Sequence, residues 1–189
     1  MDQPVGGAPP PPGGQYAPAP GAGYGPPSAA GQPADLLLRF AARLIDFILI
    51  GIVGTIIGVV IIAIAGLTGG GLGGYGSYSG ATAVSAVVSA VITVGYFVLM
   101  ESRVGQTVGK MLLKLRTVGP DGNNPTTQEA FRRNWWTGLG ILGVVPFLGF
   151  LGSIAELVIV IVIAVTINNS PTRQGWHDKQ AGTQVIKTG

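Results

Sequence analysis

Asp46 lies at the start of one long apolar stretch of this 189-residue chain, and Glu156 lies inside another. A charged side chain at the centre of a bilayer costs about 2.5–3.5 kcal/mol on insertion scales, so such residues indicate ion or proton binding unless a partner neutralises them. Arg39, Arg43 and Asp46 follow i, i+4, i+7 spacing and share one helical face. Asp46 is therefore either part of an ion pair that pins the helix at the interface or a cation or proton site. The role of Glu156 depends on the path of the chain around it.

Residue types that carry most enzyme and metal chemistry are scarce. The chain has no Cys and one His, His177, which excludes disulfides, a Cys nucleophile and thiolate or multi-His metal sites within one chain. Residues 105–110 resemble a phosphate loop only superficially, because the glycine spacing is one residue short and Met111 stands where Ser or Thr should follow Lys. We expect no enzyme, metal or cofactor. Nucleic acid is a poor candidate partner, because no uninterrupted basic run occurs.

Three apolar blocks must position these residues. Charged residues make up 10% of the chain, against roughly 25% in soluble domains, and the mean hydropathy is +0.50. Residues 47–67 and 81–100 contain no charge, and at 1.5 Å per residue each reaches about 30 Å, the thickness of the hydrocarbon core. We therefore expect an all-α integral membrane protein, a small helical bundle built from three hydrophobic blocks.

The third block, residues 137–167, carries Glu156 as its only charge. As one straight helix it is about 46 Å long, which is too long for one comfortable span and short for two spans and a turn. Pro146, Gly149 and Gly152 lie inside it, where they can kink or break a helix. These features predict a broken segment, either a tight hairpin or a re-entrant pair, with one long kinked helix as the alternative.

Charge placement predicts the orientation in the membrane. The loop of residues 102–134 is basic and the Gly-rich loop of residues 66–80 has no charge, so the N-terminus and the long loop are expected in the cytoplasm. Lys and Arg in the C-terminal tail favour the same side, which in turn favours the hairpin. Thr126 and Glu129 have the form of a capping box, so a helix should begin there and reach the headgroup boundary at Trp135 and Trp136.

Cytoplasmic segments offer two kinds of contact. Residues 1–34 contain ten Pro and eight Gly and are expected to be a disordered tail, acting either as a docking segment for a protein partner or as a solvated leader. Residues 35–189 form the membrane domain. Lys110, Lys114 and Arg116 in the long loop are expected to face the lipid surface, at about 1 kcal/mol per charge near anionic headgroups.

Small residues recur at four-residue spacing in the first two spans, a pattern that lets helix backbones approach. We expect each such face to pack against a close neighbour, or alternatively to line a permeation path. The residues are Gly51 and Thr55, Gly54 and Gly58, and Ala81, Ser85, Ser89 and Thr93.

Three separated segments resemble the RDD family, bacterial membrane proteins named for one Arg and two Asp. They are residues 39–46, from Arg39 to Asp46, residues 105–118 with the later Arg133-Asn134, and residues 175–183, which contain His177-Asp178. The resemblance covers about residues 36–187. The Pro/Gly-rich tail ahead of such a domain is similar to that of the proline-rich antigen homologues within the family.

The resemblance implies that the name-giving residues are Arg39, Asp46 and Asp178, and that the protein lies in the bacterial plasma membrane. Asp178 would then reach the face of Arg39 and pair with Arg39 or Arg43. Resemblance to the family suggests transport of a cation or small solute. The most specific form of this hypothesis is proton-coupled antiport with Asp46 as the coupling acid. So small a bundle would need to form a homo-oligomer to enclose a path. The alternative is a membrane-anchored interaction protein that recruits partners through the tail and the basic loop.

Overall fold

The computed structural model describes residues 30–67 and 75–189. Three of its helices are long and apolar enough to cross a membrane, over Leu36–Ile64, Ala83–Val104 and Phe147–Asn169, which confirms the expected helical membrane architecture. In chain order the elements are α1 (Leu36–Leu67), α2 (Tyr75–Val104), α3 (Val108–Leu112), β1 (Leu115–Val118), α4 (Thr127–Asn134), a 3₁₀ segment (Trp135–Val144), α5 (Pro146–Asn169), α6 (Trp176–Ala181) and β2 (Gln184–Lys187).

The first two helices are longer than the uncharged blocks that predicted them. α1 begins at Leu36, eleven residues before the predicted span, and so contains Arg39, Arg43 and Asp46. Its first turn is capped by Asp35, whose Oδ1 accepts a hydrogen bond from the Leu38 amide at 3.0 Å. α2 begins at Tyr75, inside the predicted Gly-rich loop, of which residues 68–74 lie outside the described residues. The charged residues Arg39, Arg43 and Asp46 therefore did not end α1, because residues of other elements contact these side chains.

The third block reverses direction, which confirms the hairpin and excludes one long kinked helix. The 3₁₀ segment ends at Val144, the next residue, Val145, has an extended backbone, and Pro146 opens α5. Two glycines of α5 pack against the 3₁₀ segment: a Cβ on Gly149 would lie 2.9 Å from the Gly143 Cα, and one on Gly152 would lie 3.2 Å from the Leu139 carbonyl oxygen. At about 2.0 Å per residue the 3₁₀ segment is ~20 Å long, shorter than a full span.

A small antiparallel ribbon brings the two ends of the membrane domain together. β1 pairs with β2 from Leu115↔Lys187 to Val118↔Gln184. On the other side of β2, Pro33 bridges to Ile186, so residues 30–34 pair with the ribbon although we expected them in the disordered tail. Residues 1–29 of that tail lie outside the described residues. The ribbon was not predicted, because its strands have only four residues each.

The small-residue face of α1 has no close neighbour within the described part of one chain, so the expected packing is wrong there. A Cβ added at Gly51, Gly54 or Gly58 would meet nothing within 4 Å. Thr55 donates to the carbonyl of Gly51 in its own helix. α2 makes its close approach to the 3₁₀ segment instead, where a Cβ on Gly138 would lie 2.9 Å from a methyl of Val94.

Candidate functional site

Seven charged side chains gather at the end of the spans where the ribbon lies. We call them the ionic cluster. All seven line or adjoin one cavity, and six of the seven are buried. α1 contributes three members, and α2, α3, α4 and α6 contribute one each: Arg39, Arg43, Asp46, Glu101, Lys110, Arg133 and Asp178.

Asp178 joins α6 to α1 and α4. Its Oδ2 lies 2.5 Å from the Arg39 Nη1, one of the two arginines that we expected it to contact, and its Oδ1 accepts from the Arg133 Nη1. The backbone N–H of Gly175, which precedes α6, donates to Oδ2 at 2.9 Å. Burial alone would raise the pKa of Asp178, but the Arg133 and Arg39 guanidinium groups outweigh it and hold that pKa below its ordinary value. Asp178 is therefore a carboxylate whose charge is fixed by two cations.

Glu101 is the second carboxylate held by cations. It is fully buried near the end of α2, accepts from the Lys110 ammonium, and lies 3.2 Å from the Arg133 Nε. The Asn134 side-chain amide donates to the Glu101 Oε2 at 2.8 Å. Arg133 therefore bridges Glu101 and Asp178, and these carboxylates raise its pKa although burial opposes the charge. This bridge ties α2, α4 and α6 together.

Lys110 does not face the lipid surface, so that prediction is wrong for this residue. It is 7% exposed, and its ammonium also donates to the Thr117 hydroxyl at 2.7 Å. Burial lowers the pKa of Lys110 to about 8, although Glu101 opposes the shift. Of the other two predicted lipid-facing residues, Lys114 is exposed, and Arg116 is half-buried and donates to the Asn124 side chain at 2.8 Å.

Among the described residues Asp46 forms no ion pair with the arginines of its own helix, which was one of the two roles that its position in the sequence left open. It is 1% exposed, and three neutral groups donate to it. Tyr96 Oη and the Gly109 amide each lie 2.8 Å from Oδ1, and the Thr107 hydroxyl lies 2.6 Å from Oδ2. Gly109 permits this approach because α3 lies directly against α1: a Cβ there would collide with the Ala42 carbonyl group. The carboxylate is satisfied without a cation.

Arg43 is the cation of the cluster that has no carboxylate partner among the described residues. One amino group, Nη2, donates to the Asn134 side chain at 2.9 Å. The guanidinium carbon lies 4.0 Å from the centre of the Phe97 ring and 5.5 Å from that of Trp136, within cation–π range. Its other amino group, Nη1, is buried without a hydrogen-bond partner. Arg43 therefore keeps one unused donor.

His177 is neutral at pH 7, although its Nε2 lies 3.4 Å from the Asp178 Oδ1. Burial lowers the pKa of His177 to about 3, which outweighs the attraction of Asp178. The contact is therefore not an ion pair. The other ring nitrogen, Nδ1, is buried without a hydrogen-bond partner.

Glu156 is not brought to the cluster. It lies half-buried in α5, near the Gly140 amide of the 3₁₀ segment, and it does not line the cavity beside the cluster. Among the described residues, no group of three His, Asp or Glu side chains could hold a metal ion.

Glu101 and the hydroxyl donors Tyr96 and Thr107 were not predicted from the sequence. Glu101 directly follows the second uncharged block, so its position at a predicted membrane boundary was visible. The hydroxyl groups carry no comparable pattern, because Tyr96 faces Asp46 only after α2 packs against α1, and Thr107 only after α3 folds back on α1.

No curated protein and no solved structure shows a significant match to this chain. The family model described as the RDD family matches residues 33–182, which include every member of the ionic cluster. The chain therefore belongs to the RDD family, within which its apolar helices make it a multi-pass membrane protein.

Proposed function

We propose that this protein transports a small solute, most specifically a monovalent cation in exchange for protons, with Asp46 as the coupling acid. The observation that carries the proposal is the difference between the three buried carboxylates. Asp178 and Glu101 are each held by two cations, whereas Asp46 is held by two hydroxyls and one amide. A proton or a cation can therefore bind to Asp46 or leave it without breaking an ion pair.

The hydroxyl donors suit such an exchange. A hydroxyl can rotate from donating a hydrogen bond to offering a lone pair, so Tyr96 and Thr107 can follow a change at the carboxylate. Carboxylate and hydroxyl oxygens are hard ligands of the kind that alkali and alkaline-earth cations prefer. Because a proton and a monovalent cation carry the same charge, replacing one by the other at Asp46 leaves the charge near Arg43 unchanged.

The transport path is proposed to involve more than one copy of the chain. The three spans are mostly exposed in the single chain, and the face of α1 that carries Gly51, Gly54 and Gly58 is open. Additional copies could cover these faces and enclose a path between them. We further propose that the end carrying the ionic cluster faces the cytoplasm of a bacterial cell, as the positive loop charges favour.

Flux in proteoliposomes tests the proposal. Vesicles with an imposed pH gradient are challenged with Na⁺, K⁺ or Li⁺, and the gradient is followed with a fluorescent dye. We expect the wild type to collapse the gradient and Asp46→Asn to leave it intact. Asp121→Asn is the matched control, because Asp121 is exposed on the turn between β1 and α4 and belongs neither to a span nor to the ionic cluster. Cation-driven collapse by Asp46→Asn at the wild-type rate would contradict the role of Asp46.

The alternative role, recruitment of a protein partner, depends on the Pro-rich tail. Deleting residues 2–29 spares the segment that pairs with β2. Under our proposal, flux survives this deletion. In a full chain that shows no flux, loss of a recruited partner upon deletion would favour the interaction role.

A further inference from the structure

A cavity of about 160 Å³ separates α1 from α5 beside the ionic cluster. Its walls are two apolar helix faces: Phe40, Leu44 and Phe47 of α1, and Val160, Ile163 and Ala164 of α5. Phe40 is 59% and Leu44 50% exposed, so the cavity opens sideways, toward the region that lipid occupies. Its volume is about five times the ~30 Å³ that one water molecule occupies in the liquid.

The inner end of the cavity is polar and carries an excess of positive charge. The ionic cluster contains four cations and three carboxylates, so its formal charge is positive by one. Arg43 lines the cavity, has no carboxylate partner among the described residues, and keeps Nη1 buried without a hydrogen bond. A buried donor without a partner is costly, and an anionic oxygen would satisfy both its hydrogen-bonding capacity and its charge.

The two ends of the cavity select one class of occupant. A small soluble anion would satisfy Arg43 but leave the apolar walls uncovered, and a hydrocarbon chain alone would leave Arg43 unpaired. Basic pockets between membrane helices are sites for anionic lipid headgroups. We propose that this cavity binds one anionic phospholipid, with its headgroup phosphate at Arg43 and an acyl chain between α1 and α5.

Tryptophan fluorescence gives a direct test, because Trp136 lines the cavity and the chain has three Trp residues. The full chain carrying Trp135→Phe and Trp176→Phe retains Trp136 as its only Trp, which is excited selectively at wavelengths that Tyr does not absorb. It is placed in nanodiscs that mix phosphatidylcholine with phosphatidylglycerol. In each sample one of the two lipids bears brominated acyl chains, which quench Trp fluorescence on contact. We expect brominated phosphatidylglycerol to quench at about fivefold lower mole fraction, the preference that one basic side chain gives for an anionic lipid.

Arg43→Gln should remove this preference, and the exposed Lys114→Gln should keep it. If Arg43→Gln does not fold, Ala164→Leu fills the cavity from α5 without changing a charge and should also reduce quenching by phosphatidylglycerol. Inorganic phosphate in the buffer should not restore the fluorescence. Equal quenching by both lipids, an unchanged preference in folded Arg43→Gln, or displacement by inorganic phosphate would each overturn the proposal. So would the absence of quenching by either lipid, which would indicate that a protein segment or a second copy fills the cavity.

Discussion

Arg39 and Asp178 lie 139 positions apart in the chain and form a buried ion pair with a 2.5 Å separation. The pair joins the start of the first membrane helix to the short helix that follows the last one. Because Arg133 also contacts Asp178, the pair belongs to a network that closes the end of the bundle. This network leaves Asp46 as the buried carboxylate held only by neutral donors among the described residues.

Asp178→Asn should strongly destabilise the protein. Removing one partner of a buried ion pair leaves an uncompensated charge, at a cost of about 3–5 kcal/mol. Thermal unfolding in detergent measures the effect. The control is Lys187→Gln, which removes a partly exposed pair with Asp35 at 3.4 Å and should cost no more than about 1 kcal/mol. Equal melting temperatures for Asp178→Asn and the wild type would contradict a structural role for the pair.

Gly109→Ala should separate α3 from α1. The added Cβ would collide with the Ala42 backbone, which cannot move aside as a flexible side chain can. We expect a loss of about 1–3 kcal/mol, typical of overpacking, together with loss of the Gly109 hydrogen bond to Asp46. Gly51→Ala is the matched control, because a Cβ there meets open space and alanine favours a helix. A melting temperature for Gly109→Ala at or above that of Gly51→Ala would refute the close contact.

Mild acid should destabilise the protein through His177. Because burial lowers the pKa of His177 from 6.5 to about 3, the unfolded chain takes up a proton between these values that the folded chain does not. The contribution is fully present above pH 6.5 and is lost as the pH falls, by the order of 1–2 kcal/mol at about pH 5. Melting temperatures of the wild type should fall from pH 7 to pH 5, and those of His177→Gln should fall less. Parallel curves would exclude His177 as the source.

Cysteine labelling tests the proposed orientation, and the absence of native Cys makes it straightforward. A single Cys replacing Asp121, on the turn beside the cluster, should react with an impermeant maleimide only after the cells are opened. A single Cys at position 71, in the predicted outer loop, should react in intact cells. The reverse pattern would place the cluster outside.

The helical part of this fold could be predicted because it depends on local properties. Uncharged blocks of membrane length gave the spans, Thr126 and Glu129 form the expected capping box, and Pro146 marks the start of α5 after the chain reverses. The start of α1 was predicted less accurately than its end. A charged residue ends a membrane helix only when no other part of the protein neutralises it, and the sequence does not show whether that is so. Arg39 and Asp46 are satisfied by residues far along the chain.

The site was predictable only in part for the same reason. Asp46 and Asp178 stood out by position and by resemblance to the family, and the Arg39–Asp178 contact followed from the expected topology. Lys110 was misassigned because it lies in a basic segment between two uncharged blocks, whereas its partner Glu101 lies in α2. The hydroxyl donors to Asp46 depend on the packing of α2 and α3 against α1, which no local pattern specifies.

The measurement that tests the central claim most directly is cation-induced proton release from purified protein in a weakly buffered detergent solution. If protons and a monovalent cation compete for Asp46, addition of NaCl, LiCl or KCl should release up to one proton per chain in a saturable manner, and choline chloride should release none. Asp46→Asn should release none with any salt, while Asp121→Asn should match the wild type. Release from Asp46→Asn equal to that from the wild type, or no release from folded wild-type protein, would contradict the account.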